Sequence, residues 1–215
     1  MTAWYEDTGE FDADYFERGV ATGKSLYRDY RWIPELTIPM AARILELFPR
    51  AAWGSKVLDF GCAKGYLVKA LSLLGRDATG VDISSYAINM GRSEGINTIH
   101  HTLPFVRSDL GQYRLTIAKD VLEHVWTDQL PEVLAFLRKV TDELFVIVPL
   151  SNKKGQYVIP AFENDVTHRV RMPMSGWTTI LEATGFRVIS ADYCVPGLKE
   201  AYRKFDAGNG FLRCQ

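Results

Sequence analysis

Along the chain, short apolar runs alternate with stretches whose apolar positions return every three to four residues. This is the strand–helix rhythm of a parallel α/β sheet. Runs at 57–60, 79–83, 97–101, 115–119 and 144–149 read as strands. Helices fall between them: at 64–74, with Leu67, Val68, Leu71 and Leu74 on one face; at 84–92, capped by Ser84; and at 129–140, with Pro131 in the first turn. A loop rich in Asn, Lys and Gly follows Pro149 and runs to about Val170. A helix at 174–184, closed by Gly185, precedes two final strands at 186–193 and 210–214 that read as an antiparallel pair.

Ahead of the first strand the texture differs. Residues 1–50 are aromatic and charged, with Tyr5, Tyr15, Phe16, Tyr27, Tyr30 and Trp32 at irregular spacing. A short helix is expected at 13–21 and a second at 39–48, with Pro39 in its first turn. The chain therefore divides into an N-terminal helical segment, 1–50, and an α/β domain, 51–215.

The 215 residues suffice for one α/β domain with an elaboration. Twenty-five basic against 26 acidic residues leave almost no net charge, which argues against nucleic acid as a partner. Cys62, Cys194 and Cys214 are too scattered for a disulfide framework or a Cys-x-x-Cys metal site. The acidic start of the chain lacks the basic-then-apolar pattern of a signal peptide, and the longest strongly apolar run, 144–148, is far short of a membrane span. The expectation is a cytoplasmic monomer or homodimer, away from membranes.

Val57-Leu58-Asp59-Phe60-Gly61-Cys62-Ala63-Lys64-Gly65-Tyr66 is a strand running through a glycine-bearing turn into a helix. Gly61 and Gly65 permit a tight turn and a close ligand, and the helix start offers free N–H groups. Asp82, at the tip of the next strand, suits a pair of ribose hydroxyls. A dinucleotide enzyme wants Gly-x-Gly-x-x-Gly, but Ala63 stands at the second glycine and Asp59 would repel a pyrophosphate. Beside an ammonium and a sulfonium, Asp59 is an asset. The turn favours a cationic nucleoside over NAD.

Asp59-x-Gly61-x-x-x-Gly65 followed by Gly80-Val81-Asp82-Ile83-Ser84 resembles the first two motifs of class I S-adenosylmethionine-dependent methyltransferases. Asp120-Val121-Leu122-Glu123-His124-Val125 resembles the segment after the fourth strand in their type 11 and type 12 subgroups, and Gly185-Phe186 their common ending. The resemblance covers about 57–193. It implies a Rossmann-like, doubly wound, mostly parallel sheet with an antiparallel C-terminal strand, helices on both faces and an N-terminal helical lid over the cofactor. S-adenosyl-L-methionine is the implied cofactor. Asp59, Gly61, Cys62 and Gly65 would hold its methionine end, Asp82 its ribose and Ile83 its adenine, with Asp120 also in contact. The acid usual after the third strand is missing from His100-His101-Thr102-Leu103-Pro104, which leaves Thr102 for the adenine amine.

Two segments are candidates for acceptor chemistry. His124 follows a buried strand at the ligand-bearing end of the sheet, although Glu123 and His124 could simply cap that strand. In Asn164-Asp165-Val166-Thr167-His168-Arg169, His168 suits a general base for a hydroxyl, with Asp165 to orient it. The alternative is a turn in which Asp165 and Thr167 bond the local backbone while His168 is solvated. An Asp-x-x-His element ahead of a Trp-bearing helix also resembles methyltransferases of sugar or natural-product hydroxyls. A small-molecule acceptor methylated on oxygen is therefore expected; a protein or nucleic-acid methyltransferase and a non-enzymatic nucleoside-binding module are the alternatives. The scattered histidines predict no metal site.

Overall fold

Val57 and Leu58 are neighbours in β1 (Lys56–Phe60), yet they belong to different buried clusters on opposite faces of the sheet. That is the mark of a strand covered on both sides, where apolar residues follow one another instead of alternating with polar ones. The computed structural model describes residues 9–100 and 111–215. Around β1 lie β2 (Asp77–Asp82), β3 (Thr98–His100), β4 (Tyr113–Lys119), β5 (Thr141–Pro149), β6 (Val188–Asp192) and β7 (Asn209–Cys214). They form one sheet in the order β3-β2-β1-β4-β5-β7-β6. β7 runs antiparallel to β5 and β6, and the other pairings are parallel.

α2 (Pro34–Leu47), α3 (Tyr66–Leu73) and α4 (Ser85–Ser93) cover one face, burying Ala41, Ile44, Val68, Leu71 and Ile88. α5 (Leu130–Val140) and α6 (Met174–Ala183) cover the other through Leu134, Leu137, Trp177 and Leu181. α1 (Ala13–Thr22) starts at Asp12, whose side chain accepts the Tyr15 N–H at 3.0 Å. It packs Tyr15 and Phe16 against Ala87 of α4. No described helix is long and apolar enough to cross a membrane.

Several boundaries differ from expectation. α2 opens at Pro34, and Pro39 lies inside it. Both Pro39 and Glu35 are exposed, so water can satisfy the Glu35 carbonyl that Pro39 leaves without a donor. α3 begins at Tyr66 rather than at 64, because Gly65 takes a left-handed conformation (φ 79°) at its N-cap. β5 starts directly where α5 ends. The strand expected at 97–101 spans Thr98–His100, and Thr102 lies outside the described residues.

Strand order reverses between β1 and β4, and an open α/β sheet has its crevice at the carboxyl ends of such strands.

Candidate active site

A cavity of about 590 Å³ opens at that crevice. Asp59, Gly61, Cys62, Asp82, Ile83 and Asp120 form part of its wall, as do Glu123, His124, Asp165 and His168. Phe11, Tyr15, Tyr27 and Tyr30 close it from the N-terminal side.

At the β1 end, Gly61 has a φ of 76°, and a Cβ there would meet Val121 Cγ2 at 2.2 Å. Ala63 is also left-handed (φ 51°), and its N–H donates to Asp82 Oδ2 at 2.7 Å. The other Asp82 oxygen accepts the Ser84 N–H at 2.8 Å. Asp82 thus pins the glycine turn to the start of α4. Gly65 departs from expectation: it is outside the cavity wall, and a Cβ on it would run into Thr98 at 2.7 Å and Ile96 at 2.8 Å. Its glycine permits close packing against β3 rather than a close ligand. Burial pushes the Cys62 thiol up, which keeps it a neutral wall group.

Asp59 is buried at the carboxyl half of β1. Burial raises its carboxyl to about 7; Lys119 pulls it down in part, and Asp82 pushes it up. Lys119 Nζ lies 2.6 Å from Asp120 Oδ2, and Lys199 pairs with the other Asp120 oxygen. Burial alone would raise the Asp120 carboxyl, but the two ammonium groups hold it well below the usual carboxylate range. Asp120 is itself left-handed (φ 53°), a conformation disfavoured for a residue with a Cβ. The adjacent Lys119-Asp120 pair was legible as polar residues ending an apolar strand. Lys199, between β6 and β7, carried no signal of its own.

The long segment after β5 is not a solvated loop. It contains a short 3₁₀ helix, Pro160–Asn164, and buries Tyr157, Ile159 and Phe162 together. Asp165 Oδ1 accepts from the Thr167 N–H at 3.0 Å, so the local turn forms, yet His168 is only 8% exposed. The partnership expected between Asp165 and His168 is looser than a hydrogen bond, with Nε2 3.9 Å from Oδ2. His168 is oriented instead by the Phe162 carbonyl, 2.9 Å from Nδ1. Asp165 accepts the Tyr15 hydroxyl at 3.0 Å and the Thr167 hydroxyl at 2.6 Å. Thr167 Oγ1 lies 2.8 Å from His124 Nδ1.

Burial lowers both imidazoles, and at His124 the neighbouring His168 adds to it, bringing that ring down to about 4. Their ring centres are 4.7 Å apart. Burial and the Asp120 charge push the Glu123 carboxyl well up. Glu123 and His124, adjacent in sequence, and the remote His168 each bring a polar atom within 4.8 Å of the others.

The Methyltransferase domain family description matches residues 32–191. The chain belongs to that methyltransferase family. Its fold is that of the class I S-adenosylmethionine-dependent methyltransferases. It is 30% identical over 94 residues to a ubiquinone biosynthesis O-methyltransferase of Bordetella avium (strain 197N), covering 40% of this chain and 39% of that protein. A second, from Shewanella halifaxensis (strain HAW-EB4), is 26% identical over 117 residues, 51% of this chain and 49% of that one. The chain thus spans half or less of the curated relatives it matches. Among solved structures, the magnesium protoporphyrin IX methyltransferase of Synechocystis PCC 6803 with bound S-adenosylmethionine superimposes with a TM-score of 0.62 at 16% identity, over 100% of this chain and 99% of that one.

Proposed function

We propose that this methyltransferase, whose cofactor is S-adenosylmethionine, methylates a hydroxyl of a small molecule, a sugar or another natural product. The observation that carries the reading is the meeting of Glu123, His124, Asp165 and His168 in the wall of the same cavity as Asp59 and Asp82. Asp82 takes the ribose hydroxyls, Asp59 and the turn at Gly61 and Cys62 the methionine end, and Ile83 the adenine. The methyl group then faces the histidine end, beyond β4.

Transfer is an in-line displacement in which the sulfonium leaves as a neutral thioether. The protein's tasks are alignment, exclusion of water and removal of the hydroxyl proton. His168 is the imidazole assigned to that proton. Its Nδ1 faces a carbonyl that can only accept, so the neutral ring carries its lone pair on Nε2. The Asp165 carboxylate, 3.9 Å from Nε2, stabilises the imidazolium once formed. The N-terminal segment acts as a lid, because Phe11, Tyr15, Tyr27 and Tyr30 wall the cavity.

The test is incubation with methyl-labelled S-adenosylmethionine and a panel of sugars, phenols and other small hydroxylated compounds. The expected product is a labelled methyl ether. His168→Ala should slow its formation by about 10²–10⁴-fold with cofactor affinity almost unchanged. Label on nitrogen or carbon, or an undiminished rate in His168→Ala, would overturn the reading.

A further inference from the structure

Glu123 presents a difficulty that methyl transfer alone does not resolve. The residue is 1% exposed, it forms part of the cavity wall, and its Oε2 has no hydrogen-bond partner. Lys199, Lys119 and a backbone hydrogen bond offset only part of the burial of this carboxyl and the push of Asp120, and Oε2 itself has lost its hydration without gaining a donor. Something that carries positive charge fits beside it.

The two neighbouring imidazoles are prepared for the same occupant. Thr167 gives its single hydroxyl proton to Asp165, which can only accept, so Thr167 Oγ1 accepts from His124 Nδ1. The Phe162 carbonyl likewise accepts from His168 Nδ1. Both rings are therefore held with the lone pair on Nε2. A ring N–H fixed on a carbonyl or polar oxygen, with the opposite nitrogen left as a donor, is how metal-binding histidines are oriented.

We propose that Glu123, His124 and His168 form a site for one divalent transition-metal ion. Two imidazole nitrogens and one carboxylate oxygen suit zinc, cobalt or manganese, whereas magnesium and calcium prefer oxygen alone. One ligand atom from each residue, a ring nitrogen or a carboxylate oxygen, lies within 4.8 Å of the others. Ligand atoms around a tetrahedral zinc stand about 3.4 Å apart, so closure needs shifts of about 1 Å, within reach of side-chain rotation. Three protein ligands leave a coordination position for a further oxygen. The inference rests on the reading that the acceptor hydroxyl reaches this end of the cavity. An ion there lowers the pKa of a hydroxyl bound to it, and so shares the task that His168 performs without one.

The full chain, stripped with a chelator, is titrated with cobalt(II) under visible spectroscopy, with zinc as competitor. One ion per chain is expected. Glu123→Gln and His168→Ala should each weaken binding by about 10–100-fold. Unchanged affinity for S-adenosylhomocysteine in both variants shows that they remain folded. Failure of the wild type to take up one ion, or equal cobalt affinity in Glu123→Gln, overturns the proposal. Neither readout needs an acceptor, so a negative metal result leaves the methyl-transfer reading standing. A missing methyl ether likewise leaves the metal result standing.

Discussion

Asp82 accepts the backbone N–H of Ala63 at 2.7 Å and so ties the tip of β2 to the glycine turn after β1. Because Ala63 is left-handed, the turn needs this anchor to offset the strain of a Cβ in that conformation. Asp82→Ala leaves the Ala63 and Ser84 N–H groups without their charged acceptor. Urea unfolding of the ligand-free variant should report a loss of about 1.5–3 kcal/mol. An unchanged midpoint would show that the anchor is idle.

Gly61→Ala is expected to be destabilising for two separable reasons. The new Cβ falls 2.2 Å from Val121 Cγ2, and the backbone is at φ 76°. Overpacking of this kind costs about 1–3 kcal/mol. Adding Val121→Ala removes the Cγ contacts but leaves the Val121 Cβ 2.5 Å from the new methyl and the backbone strain in place, so the double variant unfolds between Gly61→Ala and wild type. Full recovery would mean that the backbone conformation costs nothing.

Residues close in sequence made half of this site legible. The turn from Asp59 to Gly65 and the carboxylate of Asp82 lie on consecutive strand–helix units, so spacing alone placed them at one end of the sheet. Gly65 makes the expected turn at φ 79°, but the space its missing Cβ leaves is taken by Thr98 and Ile96, and a glycine needed for packing looks the same in sequence as one needed for a ligand. The acceptor end was harder. Tyr15 and Asp165 meet across 150 residues, and His124 and Thr167 across 43. These pairings depend on how the segment after β5 buries Tyr157, Ile159 and Phe162, and no periodicity announces that. For the same reason nothing in the sequence joined His168 to the adjacent Glu123 and His124.

The raised carboxyl of Asp59 predicts a pH dependence with a definite sign. An unfolded aspartate ionises near pH 4, whereas burial keeps Asp59 protonated to about 7, with Lys119 and Asp82 as its charged neighbours. This group therefore stabilises the ligand-free fold at low pH, and its contribution is lost as pH rises from about 4 to 7. A cationic ligand favours the ionised form. Affinity for S-adenosylmethionine should thus rise from about pH 5.5 to 7, with proton release detectable by calorimetry in buffers of different ionisation enthalpy. Asp59→Asn should bind more weakly and lose that dependence; a wild-type profile in Asp59→Asn would refute the assignment.

In the proposed function Asp82 holds a nucleoside cofactor whose methyl group faces the histidine end of the cavity. Calorimetric titration of S-adenosylhomocysteine into the wild type and into folded Asp82→Ala tests it most directly, with NAD as the control ligand. One site per chain is expected in the wild type, with no measurable NAD binding and an affinity weakened by about tenfold to a hundredfold in Asp82→Ala. Equal affinity of the two proteins for S-adenosylhomocysteine, or preferential binding of NAD, would contradict it.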